Sequence, residues 1–351
     1  MNLAVIMPAR DEDEHIAASI LSIPSEVQAI IVIDDGSVDN TASFASDALD
    51  QCRDTCDHIA LVDGGGRGVG AAILRGVEEL RSLAADPEDW AFIVMAGDGQ
   101  MDPSDLPSLV TGLEVSDHVK GNRFLHPSGL KNMPRIRRCA SRLLSILTSL
   151  ATGWKWGDPQ CGYTATRLSI IDEIPELGNW TGYGYPNWWA LNMAQNSISV
   201  AEVPVRSVYS NETSGIRIRS FLPRVSWMLL CGLWARGWSW YVLGRGSRNV
   251  PFLTRTTMLI AWFGALASIM FSPAEPTLLI AIIPLFSIAR FVDFHEQKSR
   301  TSLRDSSRGS NQRMGGSETW RMTLRKVEAL FSPSSESLPS LQPCVVFQVS
   351  S

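Results

Sequence analysis

The stretch 29–41 reads Ala-Ile-Ile-Val-Ile-Asp-Asp-Gly-Ser-Val-Asp-Asn-Thr, five apolar residues running straight into Asp34 and Asp35. Such a run is a buried strand, and its two carboxylates fall at the carboxyl edge of a sheet, where open α/β folds hold ligands. Gly36 permits a sharp turn, and Ser37, Asp39, Asn40 and Thr41 are residue types that cap a following helix. Similar apolar runs occupy 3–7, 59–62 and 91–95, with helix-compatible sequence between them. A spacing of roughly thirty residues is that of successive βαβ units, so the expected fold class is α/β, a doubly wound, mostly parallel sheet.

Each apolar run ends in a polar or Gly-rich loop: Pro8-Ala9-Arg10-Asp11-Glu12, the Asp34-Asp35 turn, Asp63 to Gly70, and Ala96-Gly97-Asp98-Gly99-Gln100. Four loops on one sheet edge would make a nucleotide-sized crevice. Residues 134–152 read as a helix on which Arg137, Ser141 and Ser145, four apart, share a face. A further globular stretch from Asp158 onward holds GYTATR, an aromatic segment at 180–189 and a strand-like run at 198–205.

The chain has 351 residues, 45% of them hydrophobic, ample for a sizeable core. Its overall charge of -5 hides a division. Residues 1–216 hold 15 Lys/Arg against 29 Asp/Glu, a net of -14, whereas 217–308 hold 12 against 4, a net of +8. An acidic body on a basic, apolar tail suits attachment to an anionic membrane and argues against nucleic acid. The cysteines Cys52, Cys56, Cys139, Cys161, Cys231 and Cys344 lack paired CxxC spacing, so neither a zinc site nor a disulfide framework is expected. The N-terminus lacks the basic start and apolar core of a signal peptide.

From 221 to 243, Trp227, Trp234, Trp238, Trp240 and Tyr241 interleave with Arg224 and Arg236, a composition suited to a helix at headgroup level. Two apolar stretches, 256–272 and 277–289, are joined by Pro273-Ala274-Glu275-Pro276. The expected organisation is a globular domain over 1–215, juxtamembrane amphipathic helices over 216–250, a transmembrane hairpin over 251–294 and a disordered tail over 295–351. Arg245, Arg248 and Arg255 flank the hairpin on one side and Arg290, Lys298 and Arg300 on the other, so the positive-inside rule puts both ends in the cytoplasm. Pro284 keeps a re-entrant or in-plane hairpin open as the alternative.

In order along the chain, MPARDEDEHI, VIDDGSVDNT, the Gly/Arg loop, MAGDGQMDP, KGNRF and DPQCGYTA resemble the family 2 glycosyltransferases of the GT-A fold. Among these the resemblance is to the dolichyl-phosphate mannose synthase type, and it extends over roughly residues 1–292. It implies a membrane enzyme, its catalytic domain cytoplasmic, that moves a monosaccharide from a UDP- or GDP-linked donor to a polyprenyl phosphate, dolichyl or undecaprenyl. Pro8, Ala9, Arg10, Glu12, Asp34 and Asp35 would hold the nucleoside, and Arg67 a phosphate. The family's DxD motif binds Mg²⁺ or Mn²⁺. Here Ala96 replaces its first acid, leaving Asp98, with Gln100 as a carbonyl donor, to share the ion with the substrate. Arg123, Arg137 and Ser141 match the positions that grip the lipid phosphate, with Arg138 or Arg142 able to share the task. Asp158 and Gln160 match positions lining the sugar pocket. Asp98, Arg123, Asp158 and Gln160 make up the expected catalytic set.

A phosphate monoester, with its second pKa near 6, is already a nucleophile at neutral pH, so direct in-line attack with inversion is expected. Relatives that glycosylate hydroxyls carry an acidic base where this chain has Pro186-Asn187-Trp188-Trp189, without an acid. The competing functions are transfer to another lipid or to a glycan hydroxyl, and a catalytically silent membrane protein that binds nucleotide-sugars. The processive QxxRW motif is absent from the sequence. A homo-oligomer is compatible with the sequence but not specified by it.

Overall fold

The structure is a computed structural model that describes residues 1–128, 133–206, 208, 218–244, 250–312 and 347–348. Seven strands form the sheet: β1 (Asn2–Ala9), β2 (Ala29–Asp34), β3 (His58–Asp63), β4 (Trp90–Val94), β5 (His118–Asn122), β6 (Thr164–Arg167) and β7 (Val200–Pro204). Their order is β3-β2-β1-β4-β6-β5-β7, and a two-residue strand, β8 (Phe347–Gln348), adds antiparallel to β7. Among the first seven, β6 alone runs against the rest. The four expected strands are therefore present and parallel, and Ala9, Asp34 and Asp63 stand side by side in register.

Both faces of the sheet are covered, which is why β1, β2 and β4 are nearly continuous apolar runs rather than alternating ones. One face packs α1 (Ile16–Leu21), α2 (Thr41–Gln51) and α4 (Leu106–Gly112), through Ile16, Ala45 and Leu109. The other packs α3 (Val69–Leu83), α6 (Ser169–Asp172) and α7 (Tyr185–Gln195), through Val77, Ile170 and Met193. The reversal of β6 has a consequence for the site. Its leading segment, 158–163, comes to the same edge as the loops that follow β1, β2, β3, β4 and β5. The strand order reverses between β1 and β4, the place where such sheets open a crevice.

His118 on β5 is buried against Thr166, with Nδ1 and Oγ1 2.8 Å apart, and burial together with the charge on Lys120 pushes its pKa down to about 3. The unfolded chain takes up this proton near pH 6.5 and the folded protein does not. Stability is therefore whole above that pH and falls by about 1.4 kcal/mol per unit as pH drops from about 6.5 toward about 3. His118→Gln should flatten this slope, as read by thermal unfolding between about pH 7 and 5; equal slopes in both proteins would refute the assignment.

Beyond the sheet domain, α5 (Arg135–Thr152) and α7 carry α8 (Ile218–Gly237), whose Val225, Met228 and Leu229 are buried on Leu144, Ala151 and Leu191. The helix continues through a π turn at Trp238–Val242. Then come α9 (Phe252–Phe271) and α10 (Leu279–Gln312), packed against each other. Both are long and apolar enough to cross a membrane, by length and composition. Arg245 and Arg248, in the expected basic flank, lie outside the described residues.

The expected tail from 295 onward is corrected as far as Gln312, because α10 runs through it without a break. A series of polar contacts holds this part of the helix to the domain. Arg236 donates to Asp293 through both terminal nitrogens (2.8 and 2.6 Å) and through Nε to the Ala151 carbonyl, and the Tyr241 hydroxyl donates to the same carboxylate (2.7 Å). Gln297 donates to the Ala194 carbonyl (3.0 Å) and Arg304 pairs with Glu173 (2.7 Å), while Arg300 pairs with Glu296 within α10 itself (2.8 Å). Sequence periodicity registers apolar burial and not ion pairs, which is why this segment read as tail. Residues 313–346 and 349–351 of the expected tail lie outside the described residues.

Candidate active site

The loops after β1 and β2 are stitched together by the side chains expected to cap a helix. The backbone N–H groups of Asp11, Glu12 and Asp13 donate to Ser37 Oγ (3.0 Å), Thr41 Oγ1 (2.7 Å) and Asp39 Oδ2 (3.3 Å), while Val38 N–H donates back to Asp11 Oδ1 (2.9 Å). Asn40, at the N-cap of α2, makes no side-chain cap bond. These hydroxyls and carboxylates thus fix one loop on its neighbour, and Asp39 also closes the helix end, its Oδ1 accepting the Thr41 N–H (2.9 Å). Pro8, Ala9, Arg10 and Glu12 lie along this seam. Arg10 is exposed, 3.8 Å from Asp11.

The two acids that end β2 have different work. Asp34 Oδ1 accepts from the Ser37 N–H (3.0 Å) and hydroxyl (2.5 Å), shaping the turn. Asp35 is buried, and its two oxygens accept the backbone N–H groups of Arg67 and Gly68, each at 2.8 Å. The Asp35 carboxylate, expected at the nucleoside, holds the Gly-rich loop. Gly36, at φ +79°, and Gly68, at φ +98°, are needed where loops touch. A side chain at Gly68 would meet the Thr181 carbonyl oxygen at 2.7 Å. Gly70 N–H also donates to that carbonyl (2.8 Å), so the 180–184 segment braces the loop that carries Arg67. Asp35→Ala leaves two N–H groups without their acceptor, at a cost of about 1–3 kcal/mol. The expected result is a loosened loop, read as faster amide hydrogen exchange at Arg67 and Gly68; unchanged exchange would overturn the loop-holding role.

Asp98 follows β4 in a half-buried loop, and its Oδ1 accepts the Gln100 N–H (3.0 Å). Among the described residues, no group of three His, Cys, Asp or Glu could hold a metal ion unaided. One carboxylate and one amide do fit Mg²⁺, which usually takes one or two protein carboxylates and completes its shell with water and substrate phosphate.

Arg123 and Asp158, expected in separate roles, form one buried pair. The guanidinium donates through Nε (2.6 Å) and Nη2 (2.9 Å), and the Arg123 backbone N–H adds a bond of 3.2 Å. Burial alone would raise the Asp158 pKa, but the charge and hydrogen bonds of Arg123 outweigh it and hold the carboxyl below its usual range. The edge of the Arg123 fork expected to meet a lipid phosphate is thus engaged by Asp158, and the Asp158 carboxylate by Arg123.

Beneath this pair lies a network the sequence reading missed. Glu202 on β7 is buried and accepts the N–H groups of Gly157 (2.9 Å) and Asp158 (3.0 Å) and the Asn122 amide (3.0 Å). Burial pushes its pKa up, partly offset by those backbone donors. Lys120, also buried, donates to the Cys161 carbonyl (2.5 Å). The one sequence signal was an acid at the centre of an apolar strand.

Gln160, two residues after Asp158, donates to Asn187 Oδ1, and Asn187 Nδ2 donates to Thr148 Oγ1 of α5 (2.7 Å). Asn187 is fully buried at the start of α7, so the acid-free PNWW segment does reach the expected sugar-pocket loop. On α5, Ser141 is buried and Arg137 half-buried, while Arg142 lies 5.9 Å over the Phe124 ring. The helix therefore stands beside the end of β5, where Arg123 is.

Residues 4–175 match the family model described as glycosyl transferase family 2. The chain carries a family 2 glycosyltransferase domain and is a glycosyltransferase. It is 25% identical over 218 residues to the UDP-N-acetylglucosamine–dolichyl-phosphate N-acetylglucosaminyltransferase of Methanococcus voltae, covering 59% of this chain and 85% of that one. It is 26% identical over 250 residues to the polyprenol monophosphomannose synthase of Mycolicibacterium smegmatis, covering 63% and 84%. Among solved structures, glucosyl-3-phosphoglycerate synthase from Mycobacterium tuberculosis with Mg²⁺ and uridine-diphosphate aligns with 19% identity, 67% and 79% coverage and a TM-score of 0.48.

Proposed function

We propose that this protein transfers a monosaccharide from a nucleotide-sugar to a polyprenyl phosphate at a membrane surface, with inversion at the anomeric carbon. The observation that carries this reading is Asn187. The stretch 186–189, where hydroxyl-directed relatives carry a base, offers a buried amide bonded to Gln160 and Thr148 and no acid, and an amide cannot take a proton from an acceptor hydroxyl. A lipid phosphate needs no such base. Two similar proteins, from Methanococcus voltae and Mycolicibacterium smegmatis, are named for dolichyl phosphate and polyprenol monophosphate, which supports the same acceptor class.

In this mechanism the stitched 8–12 and 34–41 loops hold the nucleoside, and the loop pinned by Asp35 presents Arg67 and its neighbouring backbone to the diphosphate. Asp98 and Gln100 would hold Mg²⁺ or Mn²⁺, which when bound neutralises charge on the leaving diphosphate. The Asp158–Arg123 pair, fixed from below by Glu202, sets the Asp158–Pro159–Gln160 turn, and Gln160 orients the sugar. Arg137 and Ser141 on α5 receive the acceptor phosphate. The Trp-rich α8 lies at headgroup level, and α9 and α10 form the membrane hairpin, with the sheet domain on the cytoplasmic side.

The test is to incubate membranes containing the protein with polyprenyl phosphate and a panel of labelled UDP- and GDP-sugars. Label should pass into lipid from at least one donor, and Asn187→Asp should not raise transfer to a free hydroxyl acceptor. No transfer from any donor would favour a silent nucleotide-sugar-binding protein.

A further inference from the structure

A cavity of about 430 Å³ lies between α7 and α8. Its walls are mainly Trp180, Trp188, Leu191, Trp227 and Met228, with Arg224 on its lining. Trp180 and Trp188 stack with ring centroids 6.4 Å apart, and the exposed guanidinium of Arg224 stands 5.1 Å over the Trp180 ring. Arg224 makes no ion pair among the described residues, whereas the buried Arg236 at the same cavity is committed to Asp293. The cavity is thus apolar and aromatic with one uncompensated cation. Its volume falls within the roughly 300–1,000 Å³ of small-molecule sites.

The cavity adjoins an apolar face that water does not suit. Trp227, Leu230, Trp234 and Trp238 are 67%, 43%, 52% and 52% exposed, and their spacing puts them along one side of α8 and its π turn. Trp234 meets Trp262 of α9 at 5.6 Å, which carries this face onto the candidate membrane helices. A ligand that fits must be long and apolar, end in an anion, and reach the cavity along this face.

We infer that the α7–α8 cavity binds one anionic phospholipid, an acyl chain lying between Trp188 and Met228 and the phosphate on Arg224. Charge complementarity commits the site to an anionic headgroup, because an arginine fork matches phosphate oxygens. The acceptor is assigned elsewhere, to Arg137 and Ser141 on α5. This site does not rest on the transferase reading and stands or falls by binding alone.

Cys231 lines the cavity and Cys139 is exposed on α5, so the two thiols serve as reporter and internal reference. The full chain in neutral detergent is alkylated with N-ethylmaleimide, and modification at each cysteine is followed by peptide mass spectrometry. The probes are dihexanoyl phosphatidic acid, dihexanoylglycerol and farnesyl phosphate. Phosphatidic acid at about ten times its Kd should slow Cys231 alkylation about tenfold and leave Cys139 unchanged. Arg224→Gln, at an exposed position, should abolish most of the protection, and Arg219→Gln should preserve it. Equal Cys231 alkylation with and without phosphatidic acid would overturn the site. So would equal protection by the uncharged dihexanoylglycerol, or equal protection by farnesyl phosphate, which would make the cavity part of the acceptor site.

Discussion

Asp98→Asn should lower sugar transfer to polyprenyl phosphate by about 10²–10³-fold, the loss typical when one electrostatic stabiliser of a developing charge is removed. The expectation is large because Ala96 leaves Asp98 as the one acid in 96–100, and the next acid, Asp102, is engaged by Ser104 and Arg206. Asp35 is engaged elsewhere, each of its oxygens accepting a backbone N–H group of the Gly-rich loop. Asparagine keeps the shape and an acceptor oxygen for the Gln100 N–H, so the fold should be undisturbed. The loss should be accompanied by a rise in the Mn²⁺ or Mg²⁺ concentration needed for half-maximal transfer. Transfer and metal dependence both unchanged in the variant would refute the assignment of Asp98 to the ion.

The second large effect is on stability. Asp158→Asn strands the Arg123 guanidinium in a site where the carboxylate is fully buried and the arginine side chain only 10% exposed. Breaking a buried pair from one side costs about 3–5 kcal/mol. For a domain of this size that is a fall in Tm of about 10 °C. The double variant Asp158→Asn with Arg123→Gln removes both charges and should recover a substantial part of the loss, so the two substitutions should be strongly non-additive. Additive losses would mean that the pair is not a unit. Activity should be low in both single variants, because the Asp158–Pro159–Gln160 turn carries Gln160.

Much of the architecture was legible because parallel strands covered on both faces are written as unbroken apolar runs. The stretches at 3–7, 29–33 and 91–95 became the buried β1, β2 and β4, that at 59–62 became the half-exposed edge strand β3, and the polar loop after each run fell on one edge. The gathering of Asp34, Asp98, Arg123 and Asp158 at that edge was legible too, since the strand ends and the motif order both point there. What each carboxylate does there was not legible. Asp35 looked like a ligand contact, and its grip on the Gly-rich loop could not be seen. Ser37 and Thr41 looked like caps and proved to be stitches between loops, while Asp39 is both. A short polar side chain serves a helix end or a neighbouring loop equally well, and only the loop's position decides between them.

By itself the sequence determined the period of the β and α elements, the division between an acidic body and a basic apolar end, and the residue types available at the sheet edge. These follow from local pattern and charge, which need no knowledge of what packs on what. Only the tertiary structure decided the pairing of Arg123 with Asp158, the support of that pair by Glu202, and the continuation of α10 through residues once read as tail. Each of these joins residues far apart in the chain: Glu202 lies on β7 and Asp158 before β6, and Arg236 meets Asp293 across two helices. A charge buried with its partner looks, in sequence, like a charge in water, because the desolvation that makes the pair necessary exists only once the chain has folded.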